Sequence, residues 1–103
     1  MREIKFRAWN KLNKEMDYWD LEDRDYYAVT DLENNVIMQY TGLKDKNGKE
    51  IYDGDIVKGV GKYIVSWDIN GYWAFGPYSP DDYSSETFNI VGNIYENPGL
   101  LEK

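Results

Sequence analysis

Residues 40–57, YTGLKDKNGKEIYDGDIV, set β-prone segments on either side of a cluster of acidic residues, Asn and Gly. The stretch is either a cation-binding loop or a succession of tight turns, and the choice decides the fold. An EF-hand loop needs oxygen ligands at positions 1, 3 and 5, Gly at 6 and Glu at 12, because the chain turns sharply at 6 and closes on the ion with a bidentate carboxylate. Counted from Asp45, Asn47 falls at the third position, but Lys49, Glu50 and Ile56 occupy the fifth, sixth and twelfth. Counted from Asp53, Asp55 fits and Val57, Lys58 and Ile64 do not. Turns account for the stretch better. Asn47-Gly48 accepts the positive φ of a two-residue hairpin turn at least cost. Asp45 is placed to accept a hydrogen bond from an amide two residues on. Residues 52–55 make a second reversal in which Gly54 takes a backbone conformation that other residues resist. The acidic side chains are then expected in solvent, with a cation site of other geometry on Asp53 and Asp55 as the alternative.

Working outward, EIKFRAW at residues 3–9 alternates Ile4, Phe6 and Ala8 with Lys5, Arg7 and Trp9, a half-buried strand with its cations on the outer face. Residues 10–25, NKLNKEMDYWDLEDRD, break that period and read as a turn and a long acidic excursion with at most one helical turn. YYAVTDL (26–32) and VIMQYTGL (36–43) flank ENN as a hairpin, and KYIVSWDI and YWAF flank Asn70-Gly71 as another. GPYSPDDYSSE (76–86) is a loop by composition. TFNIVGNIY (87–95) is a last strand with Phe88 and Ile90 on one face, and ENPGLL allows a single turn of helix. The chain is expected to be one mostly β domain over residues 1–103, a small barrel or a strongly bent antiparallel sheet with long loops.

Composition narrows the chemistry. Aromatics are 17% of the 103 residues, with four Trp and ten Tyr, enough to build a core without crosslinks. There is no Cys and no His, which removes thiolate chemistry, sulfur-ligated zinc and the commonest general base. The net charge is −7, but residues 1–16 are basic and residues 17–34 strongly acidic, so any nucleic-acid site has to be local. No apolar run approaches the roughly 20 residues of a membrane span, and the N-terminus lacks a signal-peptide core, so a cytoplasmic protein is expected.

REIKFRAWN (2–10), MQYTGLKDKNGKEIYDGDIV (38–57) and VGNIYENPGLL (91–101) resemble, in order and spacing, the YopX family of small proteins carried by bacterial phages and prophages. The chain departs from that pattern at Gly99, where members usually carry an acidic residue, and in the segments between the blocks. The resemblance implies a mostly β, SH3-like small barrel and a phage origin, and it brings no established enzymatic activity.

GVGKYI (59–64) has two glycines of a dinucleotide fingerprint but neither the third glycine nor a helix after it, so Gly59 and Gly61 are expected to serve a tight turn. Asp53 with Asp55, or Asp81 with Asp82, could bind a metal or do acid-base work, which makes a carboxylate-metal hydrolase a remote third option. No cofactor and no metal are expected. Trp9, Trp19, Trp67, Tyr72 and Trp73 are core by default, or a platform for stacking bases. The expected function is a non-enzymatic protein-binding module for a host or phage protein. Its contact surface is Asp17, Tyr18, Trp19, Asp20, Leu21 and Glu22, where acidic steering meets aromatic anchors. The alternative is a nucleic-acid-binding module using Arg2, Lys5 and Arg7 of the first strand with Lys44 and Lys46 near the turn.

Overall fold

A computed structural model describes residues 4–20, 33–79 and 82–101 of the chain. Eight strands make up most of it: β1 (Lys5–Asn10), β2 (Glu15–Asp20), β3 (Asn35–Lys44), β4 (Glu50–Tyr52), β5 (Asp55–Lys58), β6 (Lys62–Trp67), β7 (Trp73–Phe75) and β8 (Asn89–Asn93). Short 3₁₀ turns at Ser85–Thr87 and Pro98–Leu101 complete the elements, and no α-helix occurs among the described residues. The strands form two four-stranded antiparallel sheets, ordered β2-β1-β3-β4 and β7-β6-β5-β8. This is the bent-sheet alternative rather than a closed barrel. The strand expected over residues 26–32 lies outside the described residues.

The central stretch turns the chain from one sheet to the other. β3 pairs with β1 through its first half and with β4 through its second, and the register shifts between Tyr40 and Lys44. At that irregularity Gly42 has φ +86 and the buried Thr41 hydroxyl donates to the Ile51 carbonyl at 2.8 Å. The β3–β4 turn is built on Asp45. One carboxylate oxygen accepts from the amides of Asn47 (2.8 Å) and Lys49 (2.9 Å), and the other from Ile90 on β8 (3.0 Å). The expected Asn47 contact is present, but Asp45 is buried, not solvated. Its carboxylate replaces the amide partners that a turn and a strand end would otherwise lack. Gly54, at φ +87, then carries the chain from β4 into β5. Gly71, at φ +91, turns β6 into β7, but neither this turn nor the one at Asn47-Gly48 is the expected two-residue type: only the glycine takes positive φ, and three residues lie between Asp68 and Tyr72 and between Asp45 and Lys49, whose backbones pair.

The acidic excursion is partly strand. β2 pairs with β1 from Lys5↔Asp20 to Asn10↔Glu15. Its turn contains neither Gly nor Pro. Asn10 Oδ1 accepts from the amides of Leu12 and Asn13, and Lys14 takes the positive φ (59°) that a glycine would normally supply.

The main core cluster is Ile51, Val57, Val65, Trp73, Phe75 and Phe88, with Leu43, Tyr63 and Ile90 packed against it. Most of it comes from the second sheet, β4 and the approach to β8. The two faces of β1 are reversed from the sequence expectation. Arg7, paired with Met38, and Trp9, paired with Val36, face inward with the buried Met38 and Tyr40. Phe6 is only half-buried, and of the expected inner set only Ala8 is fully buried. A single buried cation explains the inversion, because Arg7 meets a buried carboxylate on the facing sheet.

Candidate functional site

Two arrangements between the sheets combine polar and aromatic groups. The first surrounds Arg7. Its terminal nitrogen lies 2.8 Å from Asp55 Oδ1 and donates to the Asp53 carbonyl at 3.1 Å, and its guanidinium sits over the Tyr52 ring, 4.9 Å from the centroid. The other oxygen of Asp55 accepts from the Tyr52 amide at 2.7 Å. Both side chains of the ion pair are about 96% buried, so the pair joins β1 of one sheet to β5 of the other across a dry contact. Burial pushes the Asp55 carboxyl above its ordinary pKa, against the pull of Arg7. Burial, with Glu50 adding to it, pushes the Tyr52 phenol up to about 12. A groove of about 470 Å³ opens over this junction, with Tyr18, Lys49, Glu50, Asn93 and Glu96 in its walls. All its charges are mixed in sign, and Arg7 is already engaged. Interlocking ion pairs of this kind perturb pKa values for structural reasons, and the junction holds the sheets together.

The second arrangement is a groove of about 360 Å³ lined by Phe6, Ile37, Gln39, Asp53, Trp67 and Trp73. Strand register explains how distant residues meet. Trp19, Phe6 and Gln39 stand in one cross-strand row and Asp17, Ala8 and Ile37 in the next, on the sheet face opposite Arg7. Phe6 and Trp19 stack with centroids 5.8 Å apart, and Trp67 meets Trp73 edge-on at 5.0 Å. Trp67 is 56% exposed and Ile37 41%, so apolar surface stays open at the groove. The Trp73 indole N–H is buried and has no acceptor among the described residues. Among the described residues, Asp53 is the groove's only charged lining residue. Burial raises its pKa, while Arg7 and the Gly54 amide lower it in part.

The residues singled out from sequence divide between these places. Of the acidic, aromatic surface, Asp17 and Trp19 lie on the groove face, while Tyr18 and Asp20 face the Arg7 side, where Tyr18 packs edge-on against Tyr52 at 5.5 Å. Leu21 and Glu22 are outside the described residues. Of the basic set, Arg7 is not on an outer face but buried. Lys5 pairs with Glu50 at 2.6 Å and sits over Tyr40, whereas Lys44 and Lys46 are exposed and Arg2 is outside the described residues. The cations therefore do not form one surface. Lys46 instead joins Lys58, Val60, Tyr63 and Tyr83 in a further groove near the Gly59–Gly61 turn. Trp9 and Trp73 are core, as the default reading has it, and Trp67 is not. The contribution of Ile37, Gln39 and Asp53 was not read from sequence. The signal was available in VIMQ, where Ile37 and Gln39 alternate with buried Met38, but only the register across to Phe6 brings them to Trp67. Among the described residues no three acidic side chains converge as a metal site would require, and no helix is long and apolar enough to cross a membrane.

No curated protein matches the chain. Among solved structures, the crystal structure of protein EF1440 from Enterococcus faecalis is similar, with 26% identity and a TM-score of 0.64 over 96% of this chain and 98% of that one. A family model described as YopX protein matches residues 20–102, from the end of β2 through the last 3₁₀ turn. With most of its length so matched, the chain belongs to the YopX family.

Proposed function

We propose that this YopX-family chain is a non-enzymatic protein-binding module of a phage or prophage, acting on a host or phage protein in the bacterial cytoplasm. Its contact surface is the aromatic groove, with Trp67, Ile37 and Trp19 as anchors. The exposure of Trp67 beside Ile37 supports this reading most directly, because buried aromatic anchors flanked by polar groups carry most of the energy at protein interfaces. Asp17 and Asp53 add the acidic character expected of the contact and aid encounter with a basic partner. The phage setting is supported by the family resemblance of the three sequence blocks.

Affinity capture from bacterial cells, read by mass spectrometry, tests the proposal. The same protein should be retained by the wild type and by a Val60→Ser variant, which alters an exposed apolar residue away from the groove. It should be lost with Trp67→Ala and weakened with Trp19→Ala, both checked for folding by circular dichroism. Equal retention by all variants would refute the groove as the contact surface. Salt-sensitive oligonucleotide binding, with no protein captured, would favour the nucleic-acid alternative instead.

A further inference from the structure

We infer that the aromatic groove recognises a cationic side chain, an arginine or lysine flanked by apolar residues in a partner's exposed segment. The inference rests on the groove being a protein contact and adds what it selects. Three features carry it.

The first is the combination of a carboxylate with aromatic walls. Asp53 lines the groove together with Phe6, Trp67 and Trp73, and among the described residues no cation lines it. An indole face attracts a cation through its quadrupole, and the attraction strengthens as water is excluded. Trp67 supplies the accessible indole, since more than half of its surface is open. The apolar stem of an arginine or lysine can lie along Phe6 and Ile37 while its charged head reaches the carboxylate.

The second is the position of Arg7. It lies behind Asp53, donating to its backbone carbonyl, and its own charge is matched by Asp55. The Asp53 side chain is therefore left without a close salt-bridge partner of its own among the described residues. A partially buried carboxylate in that state gains from a cation brought to it, because burial already disfavours its charge. The third is the surrounding charge. Asp17 stands on the same face, one cross-strand row from Trp19 and Phe6, and the protein as a whole carries −7. An approaching cation is steered and an anion repelled.

Two other possible occupants fit less well. A second copy of this chain would set one acidic face against another. A nucleic-acid strand would bring phosphates to Asp53, where like charges repel. Both remain outcomes of the test.

The probe is a set of acetylated, amidated pentapeptides that differ only in the central residue, Gly-Leu-Xaa-Leu-Gly with Xaa as Arg, Lys, Gln or Glu. Binding is followed by the indole N–H resonances of Trp67 and Trp73 in the isotope-labelled full chain. Saturable shifts are expected with the Arg and Lys peptides, with the Gln peptide about tenfold weaker and the Glu peptide weaker again. Asp53→Asn should narrow the gap between the Arg and Gln peptides to the part that the indole face supplies, and Trp67→Ala should remove binding of all four. Resonances that move equally with the Arg and Gln peptides would overturn the cation preference. So would indoles silent to every peptide, even where a Trp67-dependent protein partner is captured. That last result leaves the groove as a protein contact and fails only the cation. Concentration-dependent shifts without any peptide would show that a second copy occupies the groove, and would overturn the inference as well.

Discussion

Replacing Asp55 by Ala tests whether the two sheets are held together by the Arg7 junction. The substitution strands two donors at once. Among the described residues the Arg7 guanidinium keeps the Asp53 carbonyl at 3.1 Å, the more distant Asp53 charge and the Tyr52 ring, and the Tyr52 amide loses its acceptor at 2.7 Å. Solvent replaces the lost partner poorly, because the Arg7 side chain is 4% exposed and its Nε already has no partner among the described residues. Breaking a buried pair by removing one member costs about 3 to 5 kcal/mol, mostly from the unpaired charge left behind. That is a large share of the roughly 5 to 15 kcal/mol that stabilises an ordinary domain. With a urea m-value of about 1 to 3 kcal/mol/M, the unfolding midpoint should fall by about 1 to 5 M. Arg7→Met with Asp55→Leu removes both charges together, and it should recover most of that loss if the cost lies in the stranded charge rather than in shape. Equilibrium unfolding followed by tryptophan fluorescence measures all three proteins. A drop of less than about 1 kcal/mol in Asp55→Ala would mean that water reaches the pair, as in exposed ion pairs, and would refute the dry junction.

Asp45→Ala leaves three amides without acceptors and should cost about 1 to 3 kcal/mol at neutral pH by urea unfolding. Burial alone would raise the Asp45 carboxyl, but the amides of Ile90, Lys49 and Asn47 hold it below its ordinary value. Its contribution is therefore present above the unfolded pKa of about 3.9 and is lost as pH falls through the lower folded value, so wild type and variant should converge in acid. Asp53 has the opposite sign. Its folded pKa is raised, so its stabilising contribution is present below the unfolded value and lost as pH rises, and Asp53→Asn should raise Tm at pH 7 but not in acid. Gly48→Val and Gly71→Val should each destabilise by about 1 kcal/mol or more in the same unfolding assay, through backbone strain alone, since nothing lies within 4 Å of an added Cβ at either site. Millimolar Ca²⁺ or Mg²⁺ should leave Tm unchanged, and a saturable rise abolished by Asp53→Ala would restore the cation-site alternative.

What could be read from sequence followed local backbone chemistry. Gly48, Gly54 and Gly71 announced their turns because few other residues accept positive φ, though Asn47 and Asn70 do not take it, and alternation announced β1 and β3 because side chains on a strand change face at each step. The Lys11–Lys14 turn was hidden for the complementary reason. Lys14 adopts its positive φ without being a residue that prefers it, supported by Asn10, whose carbonyl accepts from the Lys14 amide while its side chain caps Leu12 and Asn13. Without that turn, EMDYWD could not be recognised as a strand, and the surface assigned to it could not be divided between two faces. Alternation also fixes which residues share a face but not which face is inward. For β1 that choice rests on Asp55, 48 residues away in sequence, which makes the face carrying Arg7 the buried one. Once Arg7 is inside, Phe6 must turn outward toward Trp19, and with Ile37 and Gln39 beside it the sheet presents an apolar face to Trp67. The buried ion pair and the exposed aromatic groove are thus two consequences of one choice of face. An Asp55 variant that let β1 roll over would be expected to lose the groove together with the junction.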